Sequence, residues 1–249
     1  MCMSKKVVIG LFFSMLLLLI GAAYFALARR AIIRSYLVRW SDLEEISPNL
    51  YVDPQMPETQ RLFLLINLAD SKERIRSLYG EYTADPLLIA GHTMDVMKDY
   101  GGNSYNRTGR TYLTPVATIV VLGPDGVVSR DVLSHELAHA EFVNRIGYRH
   151  KDAIPSWFDE GLAVQFDYRF PDSDGRFGSA NGEAAFELDQ LGTIEYDDWL
   201  GYAKSKQEVG RWLEVVGEEG FRDFLQAIRS GDNFHGTYRL IEQTYSAAP

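Results

Sequence analysis

The sequence predicts an α+β protein: a small mixed sheet with helices, then one central helix, then a C-terminal helical subdomain, all preceded by an N-terminal transmembrane helix. Three observations carry this expectation. Apolar runs of strand length fall in the first half of the chain, around Leu50, Ile89 and Val120, while the C-terminal third is helical in its periodicity. Strands gathered ahead of helices are the pattern of an α+β domain. Before either, Val7 through Ala28 is 22 residues long and carries no charge.

That uncharged stretch lies between Lys5-Lys6 and Arg29-Arg30, and as a helix it spans a hydrocarbon core of about 30 Å. Ala26-Leu27-Ala28 offers small residues for signal cleavage, but an arginine pair directly behind them favours an uncleaved anchor. The chain is expected to divide into an anchor with its juxtamembrane segment, 1–40, and one domain, 41–249, long enough to bury a full core. Residues 1–40 hold six basic residues and no acid, leaving 19 basic against 34 acidic residues beyond, a balance of −15. An acidic body disfavours nucleic acid as a partner. Four arginines behind the anchor against two lysines before it favour a cytoplasmic C-terminal side. The acidic domain and the short N-terminal tail favour export, so the expectation is a single-pass protein whose domain is extracytoplasmic, periplasmic in a bacterium. Cys2 is the sole cysteine and precedes the anchor, so no disulfide forms within the chain and no thiolate can serve as a ligand.

Within the domain, Leu50-Tyr51-Val52 reads as a short strand. Glu58 to Tyr79 reads as an amphipathic helix with Leu62, Leu65, Ile66, Ile75 and Leu78 on its apolar face. Tyr79-Gly80 and Ala84-Asp85-Pro86 punctuate the chain before a buried strand at 86–90, and Thr93 to Tyr100 is a helix. Gly101 to Arg110 is polar; it could border a cleft, although a flexible surface connection suits its composition better. Its Asn106-Arg107-Thr108 is a glycosylation sequon, meaningful only in a eukaryotic secretory pathway. β-Branched residues dominate the strand at 117–122, and Gly123-Pro124-Asp125-Gly126 ends it with turn chemistry.

The central helix carries the chemistry. His135-Glu136-Leu137-Ala138-His139 lies in a stretch free of Pro and Gly, with apolar residues at 133, 137, 140 and 143 and with Gly147 to end it. Positions four apart share a helix face, so the two imidazoles can meet one metal ion while Glu136, about 100° round, points beside it. Two neutral imidazoles leave a zinc ion strongly Lewis-acidic, a third protein ligand completes the site, and a position remains for water, whose proton Glu136 can take. Pro155-Ser156 then open a second helix, Trp157-Phe158-Asp159-Glu160-Gly161-Leu162-Ala163, running through Phe166. Glu160 lies 21 positions after His139, enough for a turn and an antiparallel return beside the first helix.

Together, HELAH and WFDEGLA resemble the gluzincin clan of zinc metallopeptidases, most closely its peptidase MA-like family, and the second block is also similar to that of the zinc aminopeptidases. The resemblance covers residues 135–163 firmly and the rest of the domain loosely. It implies a zincin-like fold, Zn²⁺ bound by His135, His139 and Glu160, and Glu136 as general base in peptide hydrolysis. Gly201-Tyr202-Ala203-Lys204-Ser205 resembles the Tyr-x-Lys-Gly stretch that carries the transition-state tyrosine of the aminopeptidases, with Ser205 where that family has glycine. Tyr202 is thus a candidate oxyanion donor, with His235 and Tyr196 competing. Acceptors for the outer imidazole nitrogens are sought at Asp131 and Asp167, because thermolysin-like enzymes carry an aspartate where this chain has Val164. Asp159 is expected to bond within its own turn, and His92 and His150 read as satisfied or solvated side chains. In gluzincins a strand ahead of the zinc helix forms the rim of the cleft and pairs with an extended substrate. The strand at 117–122 fits that role and fits buried core equally well. No Gly-x-Met-Glu-Asn segment is present, so cutting within a chain is favoured over trimming of N-termini.

Helices are expected from Asp198 to Val216 and from Glu219 to Ile228, with Gly217 and Gly220 between them. Pro171 to Gly178 alternates Asp172 and Asp174 before a glycine but lacks the later glutamate of a calcium loop, which makes it a solvated turn. The expected function is a membrane-anchored, zinc-dependent metalloendopeptidase acting on protein or peptide. The alternative is a non-hydrolytic zinc-binding interaction module of the same fold, against which the retained Glu136 speaks.

Overall fold

The structure, a computed structural model, describes residues 14–15, 29–102, 105–169, 191 and 199–246. Five strands form one mixed sheet: β1 (Glu44–Ser47), β2 (Leu50–Val52), β3 (Leu87–Ala90), β4 (Gly109–Leu113) and β5 (Thr118–Leu122). Their order is β1-β2-β3-β5-β4, with β2, β3 and β5 parallel and the two outer strands antiparallel to their neighbours. Eight helices are described: α1 (Arg30–Tyr36), α2 (Glu58–Tyr79), α3 (Met94–Asp99), α4 (Pro124–Val127), α5 (Arg130–Ile146), α6 (Ser156–Ala163), α7 (Trp199–Ser230) and α8 (Phe234–Ser246).

Side chains alternate along each central strand, and both faces of the sheet are covered. Leu50, Val52, Leu88, Ala90, Val120 and Leu122 face a large apolar cluster that includes residues of α2, α5, α6, α7 and α8. Tyr51, Ile89, Ile119 and Val121 face a smaller cluster closed by Val38, Val96 and Met97. Burial on both sides explains why β5 is apolar at every position after Thr118, and it makes β5 core rather than rim. Among the described residues the edge on that side is β4. In the helical half, Trp157, Phe158, Trp212, Phe224, Phe234 and Tyr238 pack largely edge to face, joining α6, α7 and α8.

Several expectations need correction. Glu58 to Tyr79 is helical as predicted, but its buried face is Leu64, Leu68, Ser71, Ile75 and Tyr79, whereas Leu62, Phe63, Leu65 and Ile66 are exposed. Apolar residues crowd both sides of that helix, so periodicity alone cannot choose the face. β1 and β4 have no counterpart in the sequence reading, because edge strands are half-exposed and lack a continuous apolar run. The two expected C-terminal helices are both present within α7, meeting at the non-helical Gly217 (φ 62°), but Gly220 lies inside the second instead of between them, and α8 follows. The turn after β5 contains the single-turn helix α4. Packing of the body starts before residue 41, since Ile32, Tyr36 and Val38 belong to the smaller cluster. Among the described residues no helix is long and apolar enough to cross a membrane. The anchor expected at 7–28, apart from residues 14–15, lies outside the described residues, as do the 171–178 loop and Tyr196.

Candidate metal centre

Helix α5 starts where the Ser129 hydroxyl accepts the Val132 N–H and ends at Gly147, whose φ of 86° few other residues adopt. It is buried almost along its length, contacted by α2, β4, β5, α6 and α7. Glu141, fully buried, fixes its rotation. That carboxylate accepts the Thr83 and Ala84 N–H groups at 2.8 and 2.7 Å, the Thr83 hydroxyl at 2.9 Å and Arg145 Nε at 2.6 Å. His135, Glu136 and His139 consequently stay inside the fold, each less than a tenth exposed.

Helix α6 returns beside α5 with Trp157 and Phe158 in the aromatic core and Glu160 turned to the imidazoles. Glu160 Oε2 lies 3.3 Å from His135 Nε2 and 3.6 Å from His139 Nε2, and the two nitrogens are 3.2 Å apart. One ligand atom from each residue falls within 4.8 Å of the others, so the three side chains form a group able to hold a metal ion. The buried Oε2 atom makes no hydrogen bond. A carboxylate oxygen held dry between two imidazole nitrogens without a bonded proton is what a divalent cation satisfies, so the donor set fits one. Burial pushes the Glu160 carboxyl up, yet the imidazoles of His139 and His135 outweigh it and hold the group well below the usual carboxylate range. Burial likewise pushes His139 down, and Asp159 and Glu160 more than reverse it.

Only one outer imidazole nitrogen has a hydrogen-bond partner, and that partner is not one of those expected. Asp159 Oδ1 sits 3.0 Å from His139 Nδ1, so this aspartate orients that imidazole instead of closing its own turn. Asp131 is turned away and pairs with Arg74 at 2.6 Å. Asp167 is fully buried and faces His135, but its Oδ2 stands 3.7 Å from Nδ1, which makes no hydrogen bond, and Arg169 grips both of its oxygens. Only sequence adjacency to Glu160 could have pointed to Asp159: on a helix running past His139, residues 159 and 160 can address its two nitrogens.

Glu136 meets the edge strand. The Thr111 hydroxyl donates to Glu136 Oε2 at 2.5 Å and lies 3.2 Å from its carbonyl oxygen. Two residues back on the same face, Gly109 leaves room for the carboxylate, since a Cβ there would sit 2.9 Å from Glu136 Cγ and 3.0 Å from Oε1. Asn106 holds this approach: its Nδ2 donates to the Gly109 carbonyl at 2.7 Å, and its Oδ1 accepts the Thr108 N–H at 2.8 Å. The connection read as a surface loop therefore ends as the strand bordering the site, and the sequon asparagine is buried. Thr111-Tyr112-Leu113 carries β propensity that could have revealed the strand.

Tyr202 reaches the site, its ring centroid 6.2 Å from that of His135. The approach depends on Gly161, where a Cβ would lie 2.6 Å from the Ser205 carbonyl oxygen, so α6 and α7 touch backbone to backbone one turn from Tyr202. His235 does not join the cluster: it is exposed at the start of α8, its ring against Phe234. His92 lies near Asp53 and His150 accepts from Arg149, both apart from the three ligands. A cavity of about 290 Å³ opens beside Asp159, lined in part by Leu113, Phe142, Val143 and Ile154. Comparison with protein-family models, with curated proteins and with solved structures returned no match.

Proposed function

We propose that this chain is a zinc-dependent metallopeptidase of the gluzincin kind, cutting within peptide chains and tethered by its N-terminal stretch with the domain on the extracytoplasmic side. One observation carries the reading: His135, His139 and Glu160 converge from two helices while the Glu136 carboxylate stands free of them, held by Thr111. When bound, zinc supplies Lewis acidity to polarise a scissile carbonyl and acidify water. His135, His139 and Glu160 would hold the ion, and Asp159 holds the His139 ring in place through Nδ1. Glu136 takes the proton from the attacking water at its carboxylate and returns it to the departing amine. Tyr202 is the oxyanion donor, the described candidate whose ring lies against a ligand.

Substrate placement follows from β4. Its inner neighbour is β5 and its outer edge pairs with no described strand, so an extended peptide can add there by main-chain hydrogen bonds, with the cavity beside Asp159 taking a side chain. Such pairing tolerates many sequences. The deciding test is Glu136→Gln: zinc content is expected to stay at the parent level while hydrolysis of a peptide library falls at least about 10²-fold. Equal hydrolysis by variant and parent would remove Glu136 from the reaction. A zinc-loaded parent that cuts no peptide would favour a non-hydrolytic zinc-binding module.

A further inference from the structure

The segment 30–40 has two unlike faces. One is built into the body: Ser35 and Val38 are buried, Ile32 and Tyr36 pack on the smaller apolar cluster, and Arg34 pairs with Asp99. The Tyr36 hydroxyl is hydrogen-bonded to the Thr114 hydroxyl, just past the end of β4. On the outer side, Ile33 of α1, Leu37 just past its end and Trp40 at the end of the following 3-10 turn are 37%, 51% and 73% exposed. Arg39 lies over the Trp40 ring, its Cζ 5.6 Å from the centroid, and Arg29 and Arg30 are exposed beside this face. Val116, in the turn after Thr114, is exposed as well.

Single exposed apolar residues are ordinary on a protein surface. Here, however, three of them fall within eight residues of a stretch, 29–40, that has four arginines and no acid, the first acid being Asp42, and that begins directly after the 22-residue uncharged run ending at Ala28. Tryptophan flanked by arginine, with aliphatic neighbours, is the composition that partitions into the headgroup layer, the ring at carbonyl depth and the guanidinium at the phosphates. The rest of the chain, at −15, is repelled by an anionic surface, which leaves this basic segment as the place where it can approach one.

We propose that Ile33, Leu37 and Trp40 seat the domain in the headgroup layer of an anionic phospholipid bilayer, with Arg30 and Arg39 on lipid phosphates. This rests on the reading of residues 7–28 as a membrane anchor. Because the inner face of the same segment is tied to Asp99 and Thr114, the seat holds β4 and the cleft beside it at a fixed height over the bilayer. The substrates it favours are polypeptide segments close to the membrane surface.

The test reconstitutes the full chain in nanodiscs of phosphatidylcholine and phosphatidylglycerol, with or without lipid brominated near the carbonyl end of its chains. Tryptophan emission is compared between the parent and Trp40→Phe, so that the difference isolates Trp40 from the other three tryptophans. Brominated lipid is expected to reduce the emission lost on Trp40→Phe, because an interfacial ring sits at the depth of the bromines, and Leu37→Glu to relieve that quenching while the chain still co-elutes with the disc. Equal Trp40 emission in both lipids from a chain that co-elutes would overturn the seat and leave the anchor standing. A chain that fails to enter discs at all would remove the anchor reading and the seat with it. Should Leu37→Glu alter the oligomeric state and leave quenching untouched, the face contacts a second copy of the chain and the lipid assignment falls.

Discussion

Replacing Gly161 by alanine tests whether the approach of α7 to α6 positions the site. The added Cβ would lie 2.6 Å from the Ser205 carbonyl oxygen and 2.7 Å from Val209 Cγ2, where ordinary contact begins at 3.4 Å, so α7 must retreat by about 0.8 Å. The carbonyl oxygen belongs to helix backbone, so the strain cannot be relieved by turning a side chain. Overpacking of this kind costs about 1–3 kcal/mol, and alanine recovers only about 0.5–1 kcal/mol through its helix propensity. The net loss of roughly 1–2 kcal/mol lowers the midpoint of thermal unfolding by about 2–4 °C per kcal/mol in a chain of this size. Tyr202, one turn ahead of Ser205, moves with α7 and away from His135. A displacement near 1 Å at a reacting centre costs on the order of 10²-fold in rate. Zinc content, scanning calorimetry and peptide hydrolysis are the measurements. The expected result is normal zinc, a lower midpoint and a depressed kcat. A variant with the parent's midpoint and kcat would refute the claim that backbone contact at Gly161 sets the geometry.

Other expectations follow from single contacts. Asp159→Asn leaves His139 Nδ1 without its carboxylate and should weaken zinc affinity about 10–100-fold in chelator competition; unchanged affinity would remove Asp159 from the centre. Thr111→Val deletes the donor to Glu136 Oε2, a hydrogen bond to a charged group of about 1.5–3 kcal/mol, so kcat should fall about tenfold or more at constant KM, with Thr111→Ser restoring it. The Tyr245 hydroxyl donates to Asp223 Oδ2 at 2.8 Å, tying α8 to α7, and chiefly through this bond its pKa is pushed up to about 12. Since the fold retains that proton more tightly than the unfolded chain, the stabilisation is full below the ordinary value of 10.0 and disappears as pH rises to about 12. The Tyr245 ring-carbon NMR signal, assigned with Tyr245→Phe, should titrate near 12 in the parent and lower in Asp223→Asn.

Much of the candidate site was legible because its logic is local. Spacing of four on a helix puts His135 and His139 on one face whatever surrounds them, and Gly147 ends that helix from within. The β-branched run of β5 likewise announced a buried strand. What local spacing does not encode is which neighbour occupies a face. Asp131 and Asp167 were the partners the chain suggested, with Asp159 assigned to its own turn; packing gave Asp131 to Arg74, clamped Asp167 with Arg169 and left Asp159 for His139. The side of α2 that meets the core, the edge position of β4, and the contact of Thr111 with Glu136 across 25 residues were decided in the same way. The residue order determined which side chains can share a helix face. Only the folded chain, through close approaches such as Gly161 on Ser205 and Gly109 on Glu136, decided what those side chains touch, because such contacts join segments whose separation in sequence carries no periodic signal.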